Sequence, residues 1–88
     1  MRYRQSLDAQ SSVVGDRIVL YHRQTQKALV LNPTGSRLWQ ELSTARTETE
    51  LAEELCRAFP DLPAPRAAED VARYLEQLNE HQLLVLED

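Results

Sequence analysis

The sequence has little cysteine, little glycine and no long apolar run, and each shortage excludes a class of protein. The single cysteine, Cys56, cannot form an internal disulfide, and no second cysteine or histidine cluster supplies the ligands of a structural zinc ion. Glycine occurs only at Gly15 and Gly35, so there is no Gly-rich phosphate-binding loop. Apolar runs reach only four residues and none follows the N-terminus, which argues against a signal peptide and a spanning helix. We expect a cytoplasmic protein with no cofactor, no metal site and no membrane contact.

The length of the chain and the distribution of its charges further limit its possible domain organisation and partners. The 88 residues, 42% hydrophobic and 27% charged, suffice for one small core, so we expect a single domain over residues 1–88. Residues 1–40 hold six basic and two acidic side chains, a net charge of +4, whereas residues 41–88 hold four basic and twelve acidic ones, a net charge of −8. The N-terminal half therefore suits an acidic partner, and the C-terminal half is unsuited to a polyanion such as nucleic acid.

The N-terminal third of the chain has the pattern of β-strands. Residues 16–21 and 27–31 are short runs rich in β-branched and apolar side chains, and the polar residues 22–26 between them have the length of a hairpin loop. These two runs predict an antiparallel hairpin. An earlier strand within residues 3–14 is indicated by the alternation of Tyr3, Gln5 and Leu7 and by a turn at Gly15.

Helix signals begin at Asn32. Asn32 suits an N-cap and Pro33 the first helical position. The core-facing side chains of this helix are predicted to be Leu38, Trp39 and Leu42. Gly35 would let the helix approach the hairpin closely.

Residues 43–46 are expected to link the first helix to a second one. Thr47 and Glu50 fit a capping box at the start of that helix, which is predicted to stop before Pro60. Its apolar stripe is predicted to contain Leu51, Leu55, Ala58 and Phe59.

A third helix is predicted from Arg66 to about His81, after a proline-stiffened connector. Its apolar side is predicted to carry Ala67, Ala68, Val71, Tyr74, Leu75 and Leu78. Residues 83–86 fit either a terminal strand or an apolar tail docked on the core, and periodicity cannot separate the two. The pattern as a whole predicts an α+β, winged-helix-like fold in which two or three antiparallel strands precede three helices.

The sequence offers few candidates for catalysis. Cys56 lies near the apolar stripe of the second helix, where a packing role is the simpler interpretation. His22 is expected in the hairpin loop and His81 at the end of the third helix, far from Cys56 in the sequence. Trp39 is predicted to be a core residue, while Tyr74 falls at the margin of its helix's apolar face, where its hydroxyl needs a partner. We therefore expect no enzymatic activity.

A winged-helix order also raises the possibility of DNA binding, which the charges argue against. In a helix-turn-helix the third helix would read the DNA. Residues 66–81 contain two arginines against four carboxylates, a net charge of −2, and phosphates would repel such a helix.

Several segments resemble the PqqD-like family of RiPP recognition elements, where RiPP denotes ribosomally synthesised and post-translationally modified peptides. Residues 18–21 and 28–39, with the Leu-Asn-x-x-Gly step from strand into helix at 31–35, match its pattern. Residues 47–60 and 70–85 match it in order and spacing, whereas residues 81–82 depart from it, since the family usually has a glycine there.

The resemblance implies a non-catalytic peptide chaperone that binds the leader segment of a precursor peptide. The leader would add an antiparallel strand along residues 27–32 and lie against the third helix, an arrangement that an open edge strand favours. A modifying enzyme, such as a radical-SAM enzyme, a leader peptidase or a cyclase, is the second expected partner. The predicted leader-contacting residues are Lys27, Ala28, Leu29, Val30, Leu31, Asp70, Val71, Arg73, Tyr74 and Leu78.

Two alternatives stay open at this point. One is a DNA-binding winged helix. The acidic helices disfavour it, and we therefore expect no nucleic-acid partner. The other is a structural subunit that forms a homodimer through its edge strand.

Overall fold

The computed structural model describes residues 1–87, and four strands precede the first helix. The elements are, in order, β1 (Arg2–Gln5), β2 (Ala9–Val14), β3 (Arg17–His22), β4 (Ala28–Val30), α1 (Pro33–Glu41), β5 (Arg46–Thr47), α2 (Glu48–Ala58), α3 (Ala64–Glu80) and β6 (Leu84–Glu87). The predicted α+β class, with N-terminal antiparallel strands followed by three helices, is confirmed. The strand count exceeds the two or three predicted.

The strands form two antiparallel sheets of three strands each. One has the order β2-β3-β4 and contains the predicted hairpin, with Val19 opposite Val30 and Tyr21 opposite Ala28. The other has the order β5-β1-β6 and joins the two ends of the described chain. The apolar segment after α3 is therefore a strand rather than a docked tail. Arg46, the last residue of the predicted linker, and Thr47, the predicted cap of the second helix, pair with β1.

The predicted early strand is two strands separated by a turn. β1 ends at Gln5, and Leu7 lies in the turn with 84% of its surface exposed, so the expected alternation of Tyr3, Gln5 and Leu7 is broken at its last member. The turn at Gly15 is confirmed, because its φ of 65° lies in the left-handed region that glycine tolerates.

The starts of α1 and α2 follow from their capping chemistry, whereas α3 starts without a side-chain cap. The Asn32 side chain accepts a hydrogen bond from the Gly35 N–H at 2.7 Å, and Pro33 occupies the first turn of α1. The capping box of α2 forms in both directions between Thr47 and Glu50. α3 starts two residues earlier than predicted, at Ala64, because a proline is tolerated in the first turn of a helix.

The three helices and the inner faces of the sheets share one core. The buried apolar residues are Ile18, Leu20, Leu31, Leu38, Trp39, Leu42, Leu51, Leu55, Ala67, Val71, Leu75, Leu78, Leu83 and Leu84. Trp39 is a core residue, as predicted, whereas Ala68, predicted on the apolar side of α3, is exposed. The buried Ser36 hydroxyl accepts a hydrogen bond from the Ile18 N–H at 2.9 Å and ties α1 to β3.

His22 was expected in the hairpin loop, but it ends β3 and is only 3% exposed. Its Nδ1 accepts hydrogen bonds from the backbone N–H groups of Gln24 and Thr25 at 3.1 and 3.2 Å. These bonds satisfy a buried polar ring and organise the turn before β4.

In the part of the chain described by the structure, no helix has the length and apolar character needed to cross a membrane.

Candidate functional site

The edge strand β4 offers unpaired backbone groups. Two backbone hydrogen bonds fix the register of β3 and β4: His22 N–H donates to the Lys27 carbonyl, and Leu31 N–H donates to the Ile18 carbonyl. In an antiparallel pair, hydrogen-bonded and non-hydrogen-bonded residue pairs alternate. The N–H and C=O groups of Ala28 and Val30 therefore point away from β3, toward the open edge of the sheet.

A groove lies beside this edge, between the end of β4, the start of α1 and one side of α3. It consists of two adjoining cavities of about 330 Å³ each, which share Asn32, Gly35, Tyr74 and Gln77. The first cavity lies at the end of β4 and is further lined by Arg17, Leu29, Val30 and Leu31. The second lies between α1 and α3 and is further lined by Thr34, Leu38, Leu55, Arg66, Asp70 and Arg73.

Tyr74 lines both cavities, at the place where they adjoin. Its hydroxyl donates a hydrogen bond to the Gly35 carbonyl at 2.8 Å, which supplies the partner that the sequence required. Burial raises the pKa of Tyr74 above its ordinary value, so the phenol is neutral and its hydrogen bond is uncharged. The tight packing at this point needs a glycine, because a Cβ on residue 35 would lie 3.1 Å from the Tyr74 ring.

The groove carries a local excess of positive charge. Asp70 pairs with both Arg66 and Arg73, at 3.6 and 3.4 Å, and Arg17 lines the first cavity. Three guanidinium groups thus line the groove with one carboxylate. The remaining acidic residues of α3, namely Glu69, Glu76 and Glu80, line neither cavity.

The structure brings together most of the residues predicted for leader contact. Ala28 and Val30 are exposed on β4, Leu29 is half-buried on the same strand, and Tyr74 and Asp70 line the groove on the α3 side. Arg73 lines the second cavity. Lys27 is exposed just before β4, and Leu31 is buried just after it, although its side chain still lines the first cavity.

Four of the predicted residues line neither cavity: Lys27 and Ala28 are exposed at the edge strand, whereas Val71 and Leu78 are buried. Val71 and Leu78 were expected to line its pockets, but both are 0% exposed and pack in the core. Their helical spacing with Ala67 and Leu75 marks the buried stripe of α3, and the groove is lined instead by the residues beside that stripe.

Eight groove residues lie outside the predicted leader-contacting set: Arg17, Asn32, Thr34, Gly35, Leu38, Leu55, Arg66 and Gln77. Helical spacing could have found two of them, because Gln77 is three residues from Tyr74 and Arg66 is four residues from Asp70. Arg17 could not be found in this way, since its place in the groove depends on the pairing of β3 with β4.

A separate apolar cavity of about 520 Å³ lies between α2 and α3. It is lined by Glu48, Thr49, Ala52, Glu53, Cys56, Arg57, Ala64 and Ala68. Cys56 is half-buried there, with its Sγ 3.8 Å from the Leu62 carbonyl. Among residues 1–87, no group of three or more acidic, histidine or cysteine side chains could hold a metal ion.

The fold and the groove define a small α+β domain with an open edge strand facing a helix. The family model described as coenzyme PQQ synthesis protein D (PqqD) matches residues 17–84. The chain therefore belongs to the PqqD family.

Two solved structures share the fold over nearly the whole chain. One, described as TbiB1 in complex with the TbiA(beta) leader peptide, is 26% identical and has a TM-score of 0.86, covering 97% of this chain and 98% of that chain. The other, described as lasso peptide synthetase B1 complexed with the leader peptide, is 17% identical and has a TM-score of 0.80, covering 96% and 98% of the two chains. At that identity the second structure supports the fold alone. No curated protein matches the chain significantly.

Proposed function

We propose that this protein binds the leader segment of a ribosomally made precursor peptide as an added strand along β4. The observation that carries the proposal is the outward direction of the Ala28 and Val30 backbone groups, directly beside the groove. An extended peptide would satisfy these groups, and its alternate side chains would enter the groove against Tyr74. Membership of the PqqD family and the likeness to TbiB1 in its leader-peptide complex support this function.

The protein acts as a peptide chaperone without chemistry of its own. Each candidate catalytic side chain has a structural role: His22 organises the β3–β4 turn, His81 Nδ1 lies 2.9 Å from the Gln77 carbonyl, and Cys56 packs between α2 and α3. By holding the leader, the protein brings the rest of the precursor peptide to a separate modifying enzyme of the radical-SAM, leader-peptidase or cyclase type. This raises the local concentration of the substrate at that enzyme. The protein works in the cytoplasm, where such peptides are made.

The most direct test of strand addition removes one backbone N–H that points outward from β4. Val30→Pro deletes that donor and distorts the edge, whereas Val30→Ala keeps the donor and only shortens a side chain that is 59% exposed at the rim of the first cavity. The ligand is a fluorescein-labelled synthetic leader, taken from a precursor peptide that binds the parent protein, and binding is measured by anisotropy. We expect Val30→Pro to weaken binding about tenfold or more, as the loss of a backbone hydrogen bond and of strand geometry implies, and Val30→Ala to change it less than about threefold.

Mapping of chemical shifts completes the test. Leader addition should perturb β4 and the groove side of α3 together, and both variants should keep the circular dichroism spectrum of the parent. Perturbation confined to α2, or equal binding by Val30→Pro and the parent, would contradict strand addition. A concentration-dependent dimer that the leader does not dissociate would favour the structural-subunit alternative.

A further inference from the structure

The groove as a whole has a net positive lining, three arginines against one carboxylate, and this charge bears on which leader the groove accepts. We infer that the groove selects a leader with acidic side chains immediately N-terminal to its bound strand, which Arg66 and Arg73 of α3 contact, together with Arg17. The inference rests on the proposed function, because it assumes a leader antiparallel to β4.

Strand direction determines which part of the leader meets the arginines. β4 runs from Ala28 to Val30 and then into α1 at Asn32. An antiparallel leader runs the opposite way, so the residues opposite Asn32 come before those opposite Ala28. The cavity between α1 and α3 continues the groove beyond Asn32, and the segment preceding the leader strand is therefore directed into it. The remainder of the peptide leaves past Lys27.

The charges at the Asn32 end suit an anionic segment. Arg66 and Arg73 share a single carboxylate, Asp70, and their side chains are 67% and 73% exposed. A guanidinium has five N–H donors, and one shared carboxylate leaves most of these available to a ligand. Arg17 makes no ion pair within residues 1–87 and lines the adjoining cavity. The groove thus has a positive lining in a chain whose net charge is −4.

The net charge of α3 does not show where the charged side chains of the helix lie. The helix carries more acidic than basic side chains, but Glu69, Glu76 and Glu80 lie outside both cavities while Arg66 and Arg73 lie inside the second one. A helix that is unfavourable for nucleic acid as a whole therefore presents a basic side to a peptide carboxylate at short range.

The test uses two synthetic leaders that share one strand segment. In the first, the three residues before that segment are glutamates, and in the second they are lysines. At low salt we expect the glutamate leader to bind about 5- to 20-fold more tightly, a difference that shrinks by at least half when the salt is raised to about 0.5 M. The same exchange on the C-terminal flank, measured in parallel, should have a smaller effect.

A matched pair of variants assigns the effect to the groove. Arg73 and Arg57 are both 73% exposed, and each pairs with a carboxylate three residues earlier on its own helix. Arg73→Glu should abolish or reverse the preference for the glutamate leader, whereas Arg57→Glu changes the net charge equally and should preserve it. Because both side chains are exposed, both variants should keep the parent melting temperature within a few degrees.

The outcomes separate this inference from the function on which it rests. Equal binding of the two leaders, or equal effects of Arg73→Glu and Arg57→Glu, would overturn the acidic preference while leaving leader binding intact. A stronger effect of the C-terminal flank would overturn the assigned direction. If neither flanked leader nor the parent leader binds the wild-type protein, the proposed function itself fails.

Discussion

Gly35→Ala should change both the stability of the fold and the shape of the groove, because residue 35 packs against Tyr74. Alanine favours a helix over glycine by about 0.8–1.0 kcal/mol, so an open site would gain stability. Here the new Cβ would lie 3.1 Å from the Asn32 Oδ1 and 3.1 Å from the Tyr74 Cε1. Carbon atoms pack best at about 3.5–4.0 Å, so the Tyr74 ring must move by roughly half an ångström.

Neither neighbour is free to move without cost. Asn32 Oδ1 caps α1 through the Gly35 N–H at 2.7 Å and also accepts from the Thr34 hydroxyl at 2.9 Å. Tyr74 is held by its hydrogen bond to the Gly35 carbonyl. Overpacking typically costs about 1–3 kcal/mol, which exceeds the gain in helix propensity, and we expect a net loss of about 1 kcal/mol. For a domain of this size that loss lowers Tm by about 4–8 °C.

Two measurements and a control variant separate the groove from the fold. Tm is measured by circular dichroism and leader affinity by anisotropy. We expect Gly35→Ala to weaken leader binding about fivefold or more, because the ring is pushed into the groove. Gly15→Ala should lose about 1–2 kcal/mol as well, since residue 15 has a φ of 65° with nothing within 4 Å of its Cβ, but it should bind the leader normally. A Gly35→Ala protein that is as stable as the parent and binds the leader equally would refute the reasoning.

Further predictions concern single contacts. Trp39→Ala should cost about 3–5 kcal/mol in the free energy of unfolding, measured by urea titration, and leave the leader affinity of the folded fraction unchanged. Tyr74→Phe should cost about 0.5–1.5 kcal/mol by losing its bond to Gly35, yet keep leader affinity within about twofold because the ring stays in place. Hydrogen bonds from the backbone N–H and hydroxyl of Thr47 hold the pKa of Glu50 below its ordinary value, so this carboxylate stabilises the fold above its unfolded-state pKa and the benefit is lost as the pH falls through the lower folded-state pKa. The Tm difference between the parent and Glu50→Gln should therefore be larger at pH 7 than at about pH 3. Duplex DNA should bind weakly at moderate salt in a mobility-shift titration, and tight, steeply salt-dependent binding would contradict a peptide-specific groove.

The local signals predicted the starts of α1 and α2 because each is specified within a few residues, whereas α3 has no side-chain cap and its start was predicted two residues late. Asn32 and Pro33 fix the start of α1, and the reciprocal bonds of Thr47 and Glu50 fix the start of α2. The β3–β4 hairpin is also local. The second sheet could not be predicted in the same way, since β1 pairs with strands roughly forty and eighty residues away and each pairing depends on the whole fold.

The candidate site was predictable on one side only. The edge strand follows from the hairpin pattern, but periodicity places Val71 and Leu78 on the apolar face of α3 without telling a buried stripe from an exposed pocket wall. The α3 residues that line the groove lie beside the stripe; helical spacing relates them to one another, but the packing of α1 against α3 decides which of them line the groove. Tyr74, at the margin of the stripe, was the one signal of that boundary.

The pairing of β1 with β6 has a consequence for how the chain folds during its synthesis. Arg2 pairs with Glu87, so this ladder joins residues near both ends of the described chain. Until residues 84–87 leave the ribosome, β1 has only the two residues of β5 as a neighbour, and a two-stranded pairing of that length is marginal in water. The hairpin β3–β4 and helix α1 are complete by residue 41, so the edge proposed to receive the leader can form early. The helix side of the groove requires α3. Strand β6 then completes the sheet that it forms with β1 and β5.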